Sequence, residues 1–103
     1  MLQNQKKTYP DSPESEKVKS KSMWQESNNQ LSATFKFTNF IQAFSFMTEV
    51  AFHAEQQAHH PNWSNVYNTV TINLNTHDAG NIVTEKDRKL AKTIDGVYAR
   101  YLG

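Results

Sequence analysis

Three histidines stand near the middle of the chain: His59 and His60, adjacent and followed by Pro61, and His77, followed at once by Asp78. Imidazole is the side chain whose ordinary pKa lies closest to neutrality. Three imidazoles at the two ends of a helix–strand unit could therefore converge on a ligand that needs protons moved. Spacing alone also fits a plainer description, in which all three are ordinary turn residues of a soluble domain. Glu55 lies one helical turn before His59, close enough to orient its ring.

Histidine and aspartate are also common metal ligands. Successive side chains diverge, however, so His59 and His60 are poorly placed to share one ion, and His53 lies more than a helical turn earlier. The site is therefore read as metal-free. The chain has no cysteine, which excludes thiolate nucleophiles, disulfides and cysteine-rich zinc sites.

A chain of 103 residues is expected to form one domain. Eleven Lys and Arg against ten Asp and Glu leave a formal charge of +1, with a short basic run only at Lys17, Lys19 and Lys21. That is too little for direct nucleic-acid binding. No apolar run approaches a membrane span, and the stretch from Met1 to Pro10 lacks a signal-peptide core. A soluble cytoplasmic protein is expected. Residues 1–20 read as a polar N-terminal segment, with a short helical turn allowed at Ser12-Pro13-Glu14. Residues 21–103 read as the domain.

The elements that must position the histidines follow from periodicity. Leu31, Ala33, Phe35 and Phe37 alternate with Ser32, Thr34 and Lys36, and Asn28-Asn29 supplies a tight turn, so a hairpin is expected from Trp24 to Phe37. A helix follows, capped by Thr38 or Asn39. Its expected buried stripe is Phe40, Phe44, Met47, Ala51, Ala54 and Ala58, ended by Pro61. From Asn65 the alternation resumes, with Val66, Val70, Ile72 and Leu74 on one parity. It reads either as one long strand or as a hairpin turning near Asn68-Thr69. His77 then lies at a strand end. Thr84-Glu85-Lys86-Asp87 is a capping box, and Leu90, Ala91, Ile94, Val97, Tyr98, Tyr101 and Leu102 form the stripe of the last helix. The order gives an α+β domain, an antiparallel sheet with helices on one face.

Taken together, HHPNWSNVYNTVTINLNTHD, preceded by FKFTNFIQAFSFMTEVAFHAE and followed by the TEKD helix, resembles the pterin-4a-carbinolamine dehydratase family. The resemblance covers roughly Trp24 to Leu102. It does not extend to the first twenty residues, where charged and small residues stand in place of the family's leucine-bearing helix. It implies an α-β-β-α-β-β-α domain with a four-stranded antiparallel sheet. It also implies elimination of water from 4a-hydroxytetrahydrobiopterin to give quinonoid dihydropterin, in tetrahydrobiopterin recycling, without metal or organic cofactor. His59 and His77 then correspond to acids on either side of the leaving hydroxyl, and His60 to a binding and orienting residue. Pro61, Trp63, Asn75, Thr76 and Asp78 would line the pterin beside the histidines, with Glu55 and Asp87 supporting from behind. A homo-oligomer, dimer or tetramer, is expected from the wide apolar stripes and from the family. The alternative is an interaction module that stabilises a dimeric partner such as a transcription factor, using an exposed helix rather than the histidines.

Overall fold

The computed structural model describes residues 23–102. Strands β1 (Gln25–Ser27), β2 (Gln30–Lys36), β3 (Asn62–Val66) and β4 (Thr69–Leu74) form one antiparallel sheet in the order β1-β2-β4-β3. Helix α1 (Phe40–Gln56) joins the two hairpins. Helix α2 (Glu85–Leu102) ends the chain after a short 3-10 turn at His77–Ala79. This is the expected α+β architecture. The N-terminal helical turn suggested at Ser12-Pro13-Glu14 lies outside the described residues.

Both hairpin turns follow from local chemistry. Asn28 and Asn29 take positive φ angles of 52° and 61° and bring Ser27 opposite Gln30. Two positive φ values suit the right-handed strand twist, and asparagine tolerates them better than most residues. The second hairpin turns at Tyr67-Asn68, one residue earlier than expected, with Val66 opposite Thr69. Tyr67 has φ 52°. This turn corrects the parity of Val66. An even-numbered run places it beside Val70 only if the strand is continuous. The two-residue reversal instead sends it to the open face of the sheet, where it is 76% exposed.

On the covered face Leu31, Ala33, Phe35, Val70, Ile72 and Leu74 meet the buried sides of both helices. Phe35, Phe37, Phe46 and Tyr98 pack at edge-on or tilted angles, with centroids 4.9 to 5.9 Å apart. Each such buried ring contributes on the order of 1.5–3 kcal/mol through burial alone. The Tyr98 hydroxyl donates to the Lys36 carbonyl at 3.0 Å, so its polar end is satisfied as well.

Of the stripe expected for α1, Ala54 is buried and Met47 packs half-buried against the core, while Ala43, Phe46 and Val50 make up the rest of the buried side. Phe40, Phe44 and Ala51 lie on the exposed side, and Ala58 is beyond the helix end. Apolar residues surround this helix, so its sequence carries two overlapping stripes, and packing against the sheet selects one. At its N-terminus Asn39 Oδ1 accepts the Gln42 N–H at 2.9 Å, the expected cap.

Candidate active site

Helix α1 stops well before Pro61. Ala58 adopts the left-handed region at φ 53°, its N–H donating to the Glu55 carbonyl at 3.1 Å. The His59 N–H reaches back to the Ala54 carbonyl at 3.0 Å. These two bonds are a Schellman ending, with alanine where glycine is the usual choice. The reversal separates the adjacent histidines. His59 turns into the protein and is buried, whereas His60 faces solvent. Pro61 then keeps the chain extended into β3.

His59 finds a carboxylate inside. Its Nε2 lies 2.5 Å from Oδ1 of Asp87, which is fully buried in the first turn of α2. A carboxylate can only accept, so the imidazole donates, leaving Nδ1 as the nitrogen available to a ligand. The second oxygen, Oδ2, accepts from the Thr84 backbone N–H and from the Thr76 hydroxyl, both at 2.8 Å. Because the Thr76 proton is committed to Asp87, the 2.6 Å contact between the two threonine hydroxyls is donated by Thr84. Thr84 in turn accepts the Lys86 N–H at 3.3 Å. The expected capping box therefore forms. Its aspartate has two further partners, Thr76 and His59, that the cap pattern alone did not reveal.

His77 opens the 3-10 turn, and its Nδ1 donates to Asn81 Oδ1 at 2.9 Å. The turn is closed by Gly80 and Asn81 at φ 93° and 62°, with the Asn81 N–H bonded to the Thr76 carbonyl at 3.0 Å. The bond to Nδ1 leaves Nε2 of the exposed His77 available to a ligand. His60 Nε2 donates to Glu55 Oε1 at 2.9 Å across an exposed gap. Glu55 therefore orients His60 rather than His59, because the helix ends before its i+4 position is reached.

His59, His60 and His77 line one cleft of about 250 Å³, together with Ala58, Asn75, Thr76, Asp78 and Lys86. Pro61 and Trp63 are not among the lining residues. Trp63 pairs with Ile72 in register and packs half-buried against the core, because its parity places it on the covered face of the sheet. Lys86 was not singled out from the sequence. The available signal was its place one residue before Asp87 in the capping box, at the helix end that faces the cleft. Among the described residues no three His, Asp or Glu side chains form a metal-binding group, and no helix is long and apolar enough to cross a membrane. The cleft can thus present imidazole nitrogens, which donate once protonated, a carboxylate at Asp78 and an ammonium at Lys86.

Known proteins share this arrangement of chain. A Prochlorococcus marinus protein named "Putative pterin-4-alpha-carbinolamine dehydratase" is 52% identical over 79 residues, covering 77% of this chain and 81% of its own. One of the same name from Rhizobium leguminosarum bv. trifolii is 56% identical over 72 residues, 70% of each. The crystal structure of a transcriptional coactivator/pterin dehydratase from Brucella melitensis superposes with a TM-score of 0.71 at 40% identity, over 74% of this chain and 82% of that one. A pterin dehydratase-like protein described as a RuBisCO assembly factor in the alpha-carboxysome superposes at 0.61 and 25% identity, over 76% and 90%. The family description "Pterin 4 alpha carbinolamine dehydratase" matches residues 8–97, and with these relatives it shows that the chain belongs to the pterin-4-alpha-carbinolamine dehydratase family.

Proposed function

We propose that the chain dehydrates 4a-hydroxytetrahydrobiopterin to quinonoid dihydropterin, returning the pterin to the tetrahydrobiopterin cycle. The observation that carries this reading is the convergence of three histidines on one cleft, with His59 held from behind by buried Asp87. The reaction breaks the C4a–O bond. The hydroxyl leaves as water once it receives a proton, and N5 gives up its proton as the C4a–N5 double bond forms. Each well-placed acid or base contributes roughly 10²–10⁴-fold.

His59 and His77 act as acids toward hydroxyls on opposite faces of the ring, and His60 orients the pterin. Asp87 fixes the His59 tautomer and stabilises its imidazolium form, as the buried aspartate does in a serine-protease triad. Asn75 and Asp78 offer polar contacts to the ring. The Thr76 hydroxyl, already committed to Asp87, supports the wall of the cleft. The deciding experiment supplies freshly generated 4a-carbinolamine and follows quinonoid product. Acceleration over the spontaneous reaction supports the reading, and its absence ends it.

The chain also works as a homo-oligomer in this reading. Ile41, Phe44 and Phe52 lie on the outward side of α1 at 74%, 55% and 72% exposure. A face of this kind on a small domain is a contact surface. The same face supports a second role in holding a dimeric partner protein, independent of the histidines.

A further inference from the structure

Thr84 reaches the Asp87 carboxylate by two routes. Its backbone N–H donates to Oδ2 at 2.8 Å, the bond that starts helix α2. Its hydroxyl reaches the same oxygen indirectly, through the Thr76 hydroxyl, which lies 2.6 Å from it and donates to Oδ2 at 2.8 Å. Behind it the Lys86 N–H donates to Thr84 Oγ1 at 3.3 Å. A backbone N–H can only donate and a carboxylate can only accept, so the chain of bonds runs one way, from Lys86 through both threonines to Asp87. Each hydroxyl gives one proton and receives one. Bonds arranged head to tail polarise one another, by roughly 10–30% per bond. The chain ends on a carboxylate that is fully buried, where a charge is tolerated only if donors meet its oxygens.

We infer that Thr84 is a positioning residue for the proposed acid: its hydroxyl, acting through Thr76, fixes the plane of the Asp87 carboxylate and so aims His59. This deepens the dehydratase reading and rests on it. The terminal torsion of a carboxylate is broad, so a single bond to Oδ2 still lets the group swing. Two donors from separate segments, the Thr84 N–H and the Thr76 hydroxyl, hold Oδ2 and thereby set where Oδ1 meets His59 Nε2 at 2.5 Å. Starting the helix does not require this arrangement. The cap needs the Thr84 N–H and an oxygen for Lys86, not a proton given to Thr76. Thr84 is not among the residues lining the histidine cleft, so its effect on a ligand there passes through Thr76 and Asp87.

The test substitutes Thr84 and measures each 4a-hydroxy stereoisomer separately. Thr84→Val keeps the shape and the backbone N–H but removes the hydroxyl. It should lower kcat about threefold on the stereoisomer that His59→Ala loses, with KM held. Turnover of the other stereoisomer, assigned to His77, should not change. Thr84→Ser returns the donor and should restore kcat. Thr84→Gly also lacks the hydroxyl, yet glycine begins helices about as well as threonine, so it should match Thr84→Val even where valine weakens the fold. A second readout needs no substrate. The His59 imidazole proton held by Asp87 should give a downfield proton NMR signal in the unaltered protein and in Thr84→Ser, shifted or broadened in Thr84→Val and Thr84→Gly. A signal unmoved in both, equal losses on the two stereoisomers, or a Thr84→Ser variant as slow as Thr84→Val would overturn the positioning role. Acceleration of neither stereoisomer by the unaltered protein would instead defeat the dehydratase reading, and this inference with it.

Discussion

Asp87 Oδ1 and His59 Nε2 lie 2.5 Å apart, and the same carboxylate caps the first turn of α2 through Thr84. One buried side chain thus starts a helix and holds the candidate acid. Asp87→Asn should preserve much of the cap, because an amide oxygen can still accept the Thr84 N–H, but it removes the charge behind His59. Its stability should fall by about 1 kcal/mol, with a larger loss in kcat. Asp87→Ala removes both functions and should cost about 3 kcal/mol. Urea denaturation beside steady-state kinetics would check the separation. Equal stability losses for the two variants would count against it.

His59→Ala and His77→Ala should each lower kcat more than they weaken binding, since an acid acts mainly in the transition state. A hydroxyl on one face of the ring can be protonated only from that face. The two single variants should therefore lose activity on different 4a-hydroxy stereoisomers, and the double variant should approach the uncatalysed rate. Assays of the separated stereoisomers decide the matter, and equal losses on both would remove the two-acid assignment.

His60→Ala should raise KM more than it lowers kcat. Its partner Glu55 is exposed, as is His60 itself. Exposed pairs contribute little to stability, so the melting temperature should stay nearly constant. A large drop in thermal stability would show that the pair braces the end of α1.

Much of this was legible in the sequence. Asn28-Asn29 announced the first hairpin, and the capping box placed the start of α2 at Glu85. The histidines were identifiable from their types and their elements. What escaped was decided by tertiary packing. The α1 stripe was ambiguous because apolar residues surround the helix, and the choice of Phe46 over Phe44 depends on the sheet beneath. Val66 shares the number parity of Val70 and Ile72 yet lies on the other face, because a two-residue hairpin turn, unlike a continuous strand, reverses parity across it. Glu55 was paired with the wrong histidine because an alanine, rather than the proline, ends the helix. The Asp87–His59 bond spans 28 residues and leaves no local pattern.

Phe44→Glu with Phe52→Glu should shift the protein toward monomer while leaving dehydration of the free substrate measurable. Both side chains lie away from the core, so the monomer fold should survive the charges. Sedimentation at micromolar concentration before and after substitution would read the change. An unaltered oligomer would locate the contact elsewhere.

Asp95 Oδ1 accepts the indole Nε1–H of Trp24 at 2.8 Å. Burial raises its carboxyl above the ordinary 3.8, and the indole hydrogen bond pulls it partly back. The folded chain therefore holds this proton more tightly than the unfolded chain does. Stability falls as pH rises from 3.8 through the raised folded value, and the cost persists above it. Asp95→Asn keeps an acceptor for Trp24 and loses the charge. It should be more stable than the parent at neutral pH, with the advantage disappearing below 3.8. Denaturation curves at the two extremes test the sign.

Ala58, at φ 53°, gives the histidine-bearing end of α1 a stiffness that glycine would not. An alanine held there raises the energy of the native state, but it also narrows the range of shapes open to the unfolded chain. The two effects oppose each other, and the strain is the larger, so Ala58 sits there at a net cost in stability. The difference lies in rigidity. A glycine could sample many directions at this corner, and the His59 ring would wander with it, whereas an alanine locked by two backbone hydrogen bonds leaves few alternatives. The ring is thus aimed before any ligand arrives, and the ordering entropy is spent during folding instead of on binding.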